Sequence, residues 1–156
     1  MIRICLCGLG KTGSEIARTV LEQENFKLVS AICGPDSIKR GCDTGEVIGC
    51  AKTGITVEGS DNIEEIVFRT KPDVVLDFTC PDATIRNAAV FSRMKVNIVI
   101  GTTGFSRLGL KKLFVLTRRF NNGIVYAPNI TFGVNVMMLL SSLAASILHN
   151  YDFQVT

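Results

Sequence analysis

The chain has 156 residues, 17 Lys and Arg against 14 Asp and Glu for a net charge of +3, and 47% hydrophobic residues. This length suits one folded unit with its own core, and the composition excludes a disordered tail. A weak charge with no Trp, two Tyr and no dense basic stripe leaves no nucleic-acid footprint, so no nucleic-acid partner is expected.

The opening apolar run, Ile2–Cys7, has the length of a strand. It lacks the h-region and small-residue cleavage site of a signal peptide, and a cytoplasmic location is expected. Gly8-x-Gly10-x-x-Gly13 follows at once, and Thr12–Gln23 reads as a helix with Ile16, Val20 and Leu21 on one side. Lys27–Cys33 reads as the second strand. Residues Gly34–Gly54 read as a long loop with a turn of helix around Gly45–Gly49, and Ile55–Val57 as a candidate extra strand. Asp61 is a candidate N-cap, with Glu64 completing a capping box, for a helix over Asn62–Thr70 that Lys71-Pro72 ends.

A third main strand is expected at Val74–Phe78, and Pro81 opens a helix ahead of Ala83–Met94. Asn97–Ile100 and Ile124–Tyr126 read as further strands. Ser106 is placed to cap a helix over Gly109–Phe120, and Gly133 to open a last helix to about Asn150. Within that helix, Val134–Leu148 is apolar but interrupted by Asn135, Ser141, Ser142 and Ser146. It falls short of the ~20 residues of a membrane span, and no membrane partner is expected. Alternating strands and helices rich in Val and Ile predict a Rossmann-like, doubly wound α/β fold: a mainly parallel sheet flanked by helices.

The glycine motif carries the chemistry. Gly8 permits a tight turn, Gly10 clears space for a pyrophosphate, and Gly13 lets helix and sheet close up; Leu9, Lys11 and Thr12 complete the loop. A P-loop needs a further glycine five positions before Gly10, where Cys5 stands in mid-strand, so the NTPase reading fails on spacing. A ribose-binding acid is expected about 20 residues past Gly13, yet Cys33 stands there. With Ser37, Lys39 and Arg40 close behind, this favours the 2′-phosphate of NADP(H), NAD(H) remaining open through Asp36. Thr79 is a candidate cofactor contact, and Asp77 serves either loop structure or ligand. Gly101-Thr102-Thr103 and Ala127-Pro128-Asn129-Ile130 end two strands in small, backbone-exposing loops, where open α/β sheets bind ligands. Asn129 offers an amide to a carboxamide or caps the last helix.

Six Cys without a CxxC pair read as free thiols, with Cys5 and Cys7 packed in the sheet and no zinc site. The sequon Asn129-Ile130-Thr131 has no meaning in a cytosolic chain.

Four motifs together resemble dihydrodipicolinate reductase: Gly8–Gly13, Asp77-Phe78-Thr79-x-Pro81, Gly101-Thr102-Thr103-Gly104-Phe105, and Ala127-Pro128-Asn129-x-Thr131-x-Gly133-Val134-Asn135. Their order follows the amino-terminal half of that family along nearly the whole chain. The resemblance implies an NAD(P)H-dependent reductase of the diaminopimelate–lysine pathway that forms homotetramers. Gly8–Gly13 would hold the pyrophosphate, Gly101–Thr103 with Ala127–Ile130 would frame the nicotinamide, and Thr103 would lie near a cyclic imino-dicarboxylate substrate.

Two departures stand out. The glycine loop is one residue tighter than the family's and is similar to amine dehydrogenases of the 2,4-diaminopentanoate type. The family's His-His motif, its Lys and its Gly-Thr carboxylate loop have no match here, and His149 precedes where they would begin. The expected organisation is therefore a dinucleotide-binding unit over residues 1–130 and, over 131–156, a helix with the start of an absent substrate domain. Such a chain is expected to bind the cofactor, to turn over little alone and to self-associate through its apolar last helix. The alternative is a stand-alone binding or sensing module without catalysis.

Overall fold

The computed structural model describes residues 1–148 and Tyr151. Six strands, β1 (Ile2–Cys7), β2 (Phe26–Cys33), β3 (Val57–Gly59), β4 (Val74–Asp77), β5 (Asn97–Ile100) and β6 (Ile124–Tyr126), form one sheet in the order β3-β2-β1-β4-β5-β6. Every neighbouring pair is parallel. The direction of winding therefore reverses between β1 and β4, which opens a crevice at their carboxyl ends.

Helices cover both faces. Ile4, Leu6, Leu28, Ala31 and Val57 point to one face and meet Ala17 and Val20 of α1 (Lys11–Glu22) and Ile48 of α2 (Thr44–Ile48). Cys5, Cys7, Val75, Ile98 and Ile100 point to the other. There they meet Ile66 and Val67 of α3 (Ile63–Thr70), Phe91 of α4 (Pro81–Arg93) and Leu113 of α5 (Arg107–Phe120). Strands buried on both sides have no polar alternation, which is why β1 and β2 end in the apolar runs Ile4–Cys7 and Ala31–Cys33.

Local signals set most helix ends. Pro81 stands in the first turn of α4, and Ser106 accepts from the Gly109 N–H at 3.1 Å to cap α5. Two expectations need correction. Asp61 does not cap α3: residues Ser60–Asn62 form a 3₁₀ turn, Asn62 precedes the helix, and the Asp61 carboxylate is paired with Arg40 instead. The extra strand lies two residues later than expected, because parallel pairing with Ala31–Cys33 selects Val57–Gly59. The turn of helix expected around Gly45–Gly49 is present as the five-residue α2, capped by Asp43 and ended by Gly49 at φ 74°.

The last helix, α6 (Phe132–Ile147), begins one residue before Gly133 and buries no residue. Phe132, Met138, Leu139, Leu143 and Ile147 are all more than half exposed. His149, Asn150 and residues 152–156 lie outside the described residues. No helix among the described residues is long and apolar enough to cross a membrane.

Candidate functional site

The carboxyl ends of all six strands contribute to the site. Gly8 has φ 92°, and its N–H donates to the Ile32 carbonyl at 2.8 Å, which holds the turn level with the end of β2. A Cβ on Gly8 would stand 2.5 Å from the Phe78 carbonyl oxygen, and one on Gly13 1.8 Å from that of Gly8. These approaches admit glycine alone.

Gly10 differs. Nothing lies within 4 Å of where its Cβ would be. It is the N-cap of α1, with no side-chain cap and no acidic residue in the first turn. The first N–H groups of a helix lack partners within it, and no side chain supplies one here. An open, uncapped and electropositive helix start fits a diphosphate.

Two cavities, of about 370 and 300 Å³, lie along the crevice, and Phe78 and Thr79 border both. Gly8, Leu9, Gly10, Cys33, Lys39 and Thr79 line the first. Thr12, Thr79, Gly101, Thr102, Thr103, Ala127, Pro128, Asn129 and Ile130 line the second. The two adjoin at Phe78 and Thr79 and make a trough of two cavities across the switch point, toward β2 at one end and β6 at the other. Three residues expected in the site line neither cavity: Lys11, Gly13 and Arg40. Lys11 is exposed on α1, and Gly13 serves helix–sheet packing. Arg40 is engaged beside the first cavity, its guanidinium 3.0 Å from Asp61 Oδ2 and donating to the Pro35 carbonyl at 3.1 Å.

The β2 end of the trough is chemically simple. Lys39 reaches back over the glycine turn, and its ammonium donates to the Leu9 carbonyl. Ser37 and Ser60 stand beside it, and no carboxylate is among the lining residues.

The β5 end rests on a buried acid. Asp77, 1% exposed, receives at one carboxylate oxygen the hydroxyls of Thr79 (2.7 Å), Thr84 (2.8 Å) and Thr102 (3.1 Å), and the Thr79 N–H (3.1 Å). These groups come from the β4 loop, α4 and the β5 loop, so one carboxylate fixes three segments. The Thr102 hydroxyl is therefore turned inward rather than toward a ligand; Thr103, exposed, keeps its side chain on the trough wall. Gly101 is glycine because a Cβ would stand 2.1 Å from the Phe78 ring. Asn129 accepts from the Thr131 N–H at 3.0 Å, a turn that leads into α6, and among the described residues its amide nitrogen has no acceptor. Beneath the trough, Cys5, burial and Asp77 together push the Cys7 thiol well above its ordinary range, so it stays neutral.

Ser60, Asn87 and Cys80 also line the trough but were missed as site residues. Ser60 follows β3, so the two-residue error in that strand hid it. Asn87 is 5% exposed inside α4, and a polar residue on an otherwise buried helix face was the available signal.

Residues 2–130 match the family model described as "Dihydrodipicolinate reductase, N-terminus". A 4-hydroxy-tetrahydrodipicolinate reductase from Methanococcus aeolicus is 36% identical over 99% of this chain and 58% of its own length. The chain thus spans little more than half of such relatives. A dipicolinate-bound dihydrodipicolinate reductase from Paenisporosarcina superposes with a TM-score of 0.73 at 33% identity, covering 93% of this chain and 54% of that one. An amine dehydrogenase from Mycobacterium smegmatis superposes at 0.64 with 22% identity, over 80% of this chain and 38% of that one, a likeness of fold alone.

Proposed function

Because the chain belongs to the dihydrodipicolinate reductase family, within its amino-terminal part, we propose that it holds the nicotinamide dinucleotide for reduction of 4-hydroxy-tetrahydrodipicolinate in lysine and diaminopimelate biosynthesis. The single observation that carries this is the pair of adjoining cavities that reach from Lys39, by the uncapped start of α1, to Thr103 and Asn129. In this reading the diphosphate lies on the open backbone at Gly10, Lys11 and Thr12. The ribose lies between Cys33, Ser37 and Lys39, and the nicotinamide faces Gly101–Thr103 and Ala127–Ile130. When bound, the dinucleotide supplies the hydride. The residues of this chain bind and orient it: the Asn129 amide donates toward the carboxamide, and Thr103 borders the position of the cyclic imino-dicarboxylate.

NADP(H) is favoured over NAD(H), since a lysine and two serines without a carboxylate suit a phosphate better than a pair of hydroxyls. The proton donor and the grip on the substrate carboxylates are assigned to the part of full-length relatives that this chain does not cover. A division near residue 130 and a cytoplasmic location belong to the same reading. So does self-association through α6, since a contiguous apolar surface of this kind marks an interface.

Fluorescence titration with NADPH and NADH tests the assignment. Both should bind, NADPH more tightly; failure of both overturns it, and tighter NADH reverses the preference. Light scattering that finds only monomer removes the role given to α6.

A further inference from the structure

We propose that Asp61 sets the selectivity between the two dinucleotides by withholding Arg40 from the phosphate end of the trough. The proposal rests on the reading that the first cavity takes the adenosine ribose.

Arg40 directly follows Lys39, which lines that cavity. The backbone that follows it is pinned to the first residue of β3: the Gly41 N–H donates to the Val57 carbonyl at 2.8 Å, and the Val57 N–H to the Cys42 carbonyl at 2.9 Å. The Arg40 side chain runs from there to the carboxyl end of β3, where it meets Asp61. It lies flat against Gly59, where an added Cβ would come within 2.9 Å of its guanidinium carbon and 2.1 Å of Asp61 Oδ1. The next residue, Ser60, is part of the cavity wall. The Arg40–Asp61 pair therefore sits at the rim of the cavity, one residue from its lining, with the guanidinium held by Asp61 and the Pro35 carbonyl.

This latch can yield. Both side chains are about two-fifths exposed, 41% and 44%, and exposed ion pairs are weak. A phosphate dianion in the cavity would compete for the guanidinium, since phosphate pairs with arginine in a bidentate, charge-assisted way. A ribose bearing two hydroxyls offers no such competition. Asp61 therefore lowers the affinity for NADPH and leaves that for NADH alone, holding the protein closer to dual use than Lys39 and Arg40 together would.

The test is a double-mutant cycle of wild type, D61N, R40Q and D61N/R40Q, titrated with NADPH and NADH by nicotinamide fluorescence. D61N should tighten NADPH by about tenfold, the size of one charge-assisted contact, with NADH unchanged. R40Q should change little alone and should erase the gain in the double variant. A gain that survives in the R40Q background means that the Asp61 charge acts through space, and it overturns the latch. So does equal tightening of both dinucleotides, or no change in their ratio. If wild type binds neither, the assignment of the trough fails and the latch with it; if wild type binds both and only the D61N ratio stays fixed, the latch alone fails.

Discussion

The two ends of the trough are built by opposite means. Around the glycine turn, shape comes from side chains that are missing: Gly8 and Gly13 allow backbone segments to touch, and Gly10 leaves open space. Around β5, shape comes from side chains that are present and saturated, with three threonine hydroxyls converging on Asp77. A site made of absences fails abruptly, because a steric overlap has no partial remedy. A site made of hydrogen bonds fails by degrees, since neighbours and water replace part of what is lost.

Substitutions at the two ends should separate these behaviours. The largest effect is expected for Gly13→Val, whose first added carbon would overlap the Gly8 carbonyl; circular dichroism should find no cooperatively folded protein. Asp77→Ala should leave a folded chain destabilised by about 3 kcal/mol in urea titration, the cost of stranding several buried hydroxyls. A Gly13 variant that folds well, or an Asp77 variant that does not fold, would break the contrast.

Gly10→Val sharpens it from the other side. Gly10 sits at φ −75° and ψ −167°, which any residue adopts, and its surroundings are empty. Stability should fall by less than about 1 kcal/mol, while dinucleotide binding should weaken by about a hundredfold, or ~2.8 kcal/mol. Equal loss of both would mean that the space serves the fold and not a ligand.

The smallest effect concerns the loop behind β3. Asp43 accepts from the N–H groups of Thr53, Gly45 and Gly54, and the Thr53 bond leads in holding its carboxyl below the ordinary range. A depressed folded-state value means that the stabilisation is complete above the unfolded value, ~3.9, and is lost as pH falls through the folded one. Thermal melts of wild type and Asp43→Ala should therefore differ most near neutrality and converge below about pH 4. A difference that grows in acid would refute this.

Much of this was legible in the chain. Five of the six parallel strands, the glycine turn and both carboxyl-end loops follow from runs of Val and Ile broken by Gly, Pro and Thr, while the sixth strand lies two residues from its candidate position. The failures share a cause. Asp61 has the residue type and spacing of a cap, but a partner twenty-one positions earlier in sequence captured it. Thr102 and Thr103 are the same residue in the same loop, and only the buried acid beneath them decides which hydroxyl faces out. Arg40 and Lys39 are neighbours whose side chains part. In each case the deciding contact is distant in sequence, so no local pattern records it.

The cysteines divide along the same architecture. Cys5, Cys7 and Cys33 are buried, whereas Cys50 and Cys80 are exposed, and of that exposed pair only Cys80 borders the trough. Alkylation followed by peptide mass spectrometry should thus mark both accessible thiols. A bound dinucleotide should slow labelling at Cys80 while Cys50 keeps its pace, which gives the molecule an occupancy gauge with its own internal clock.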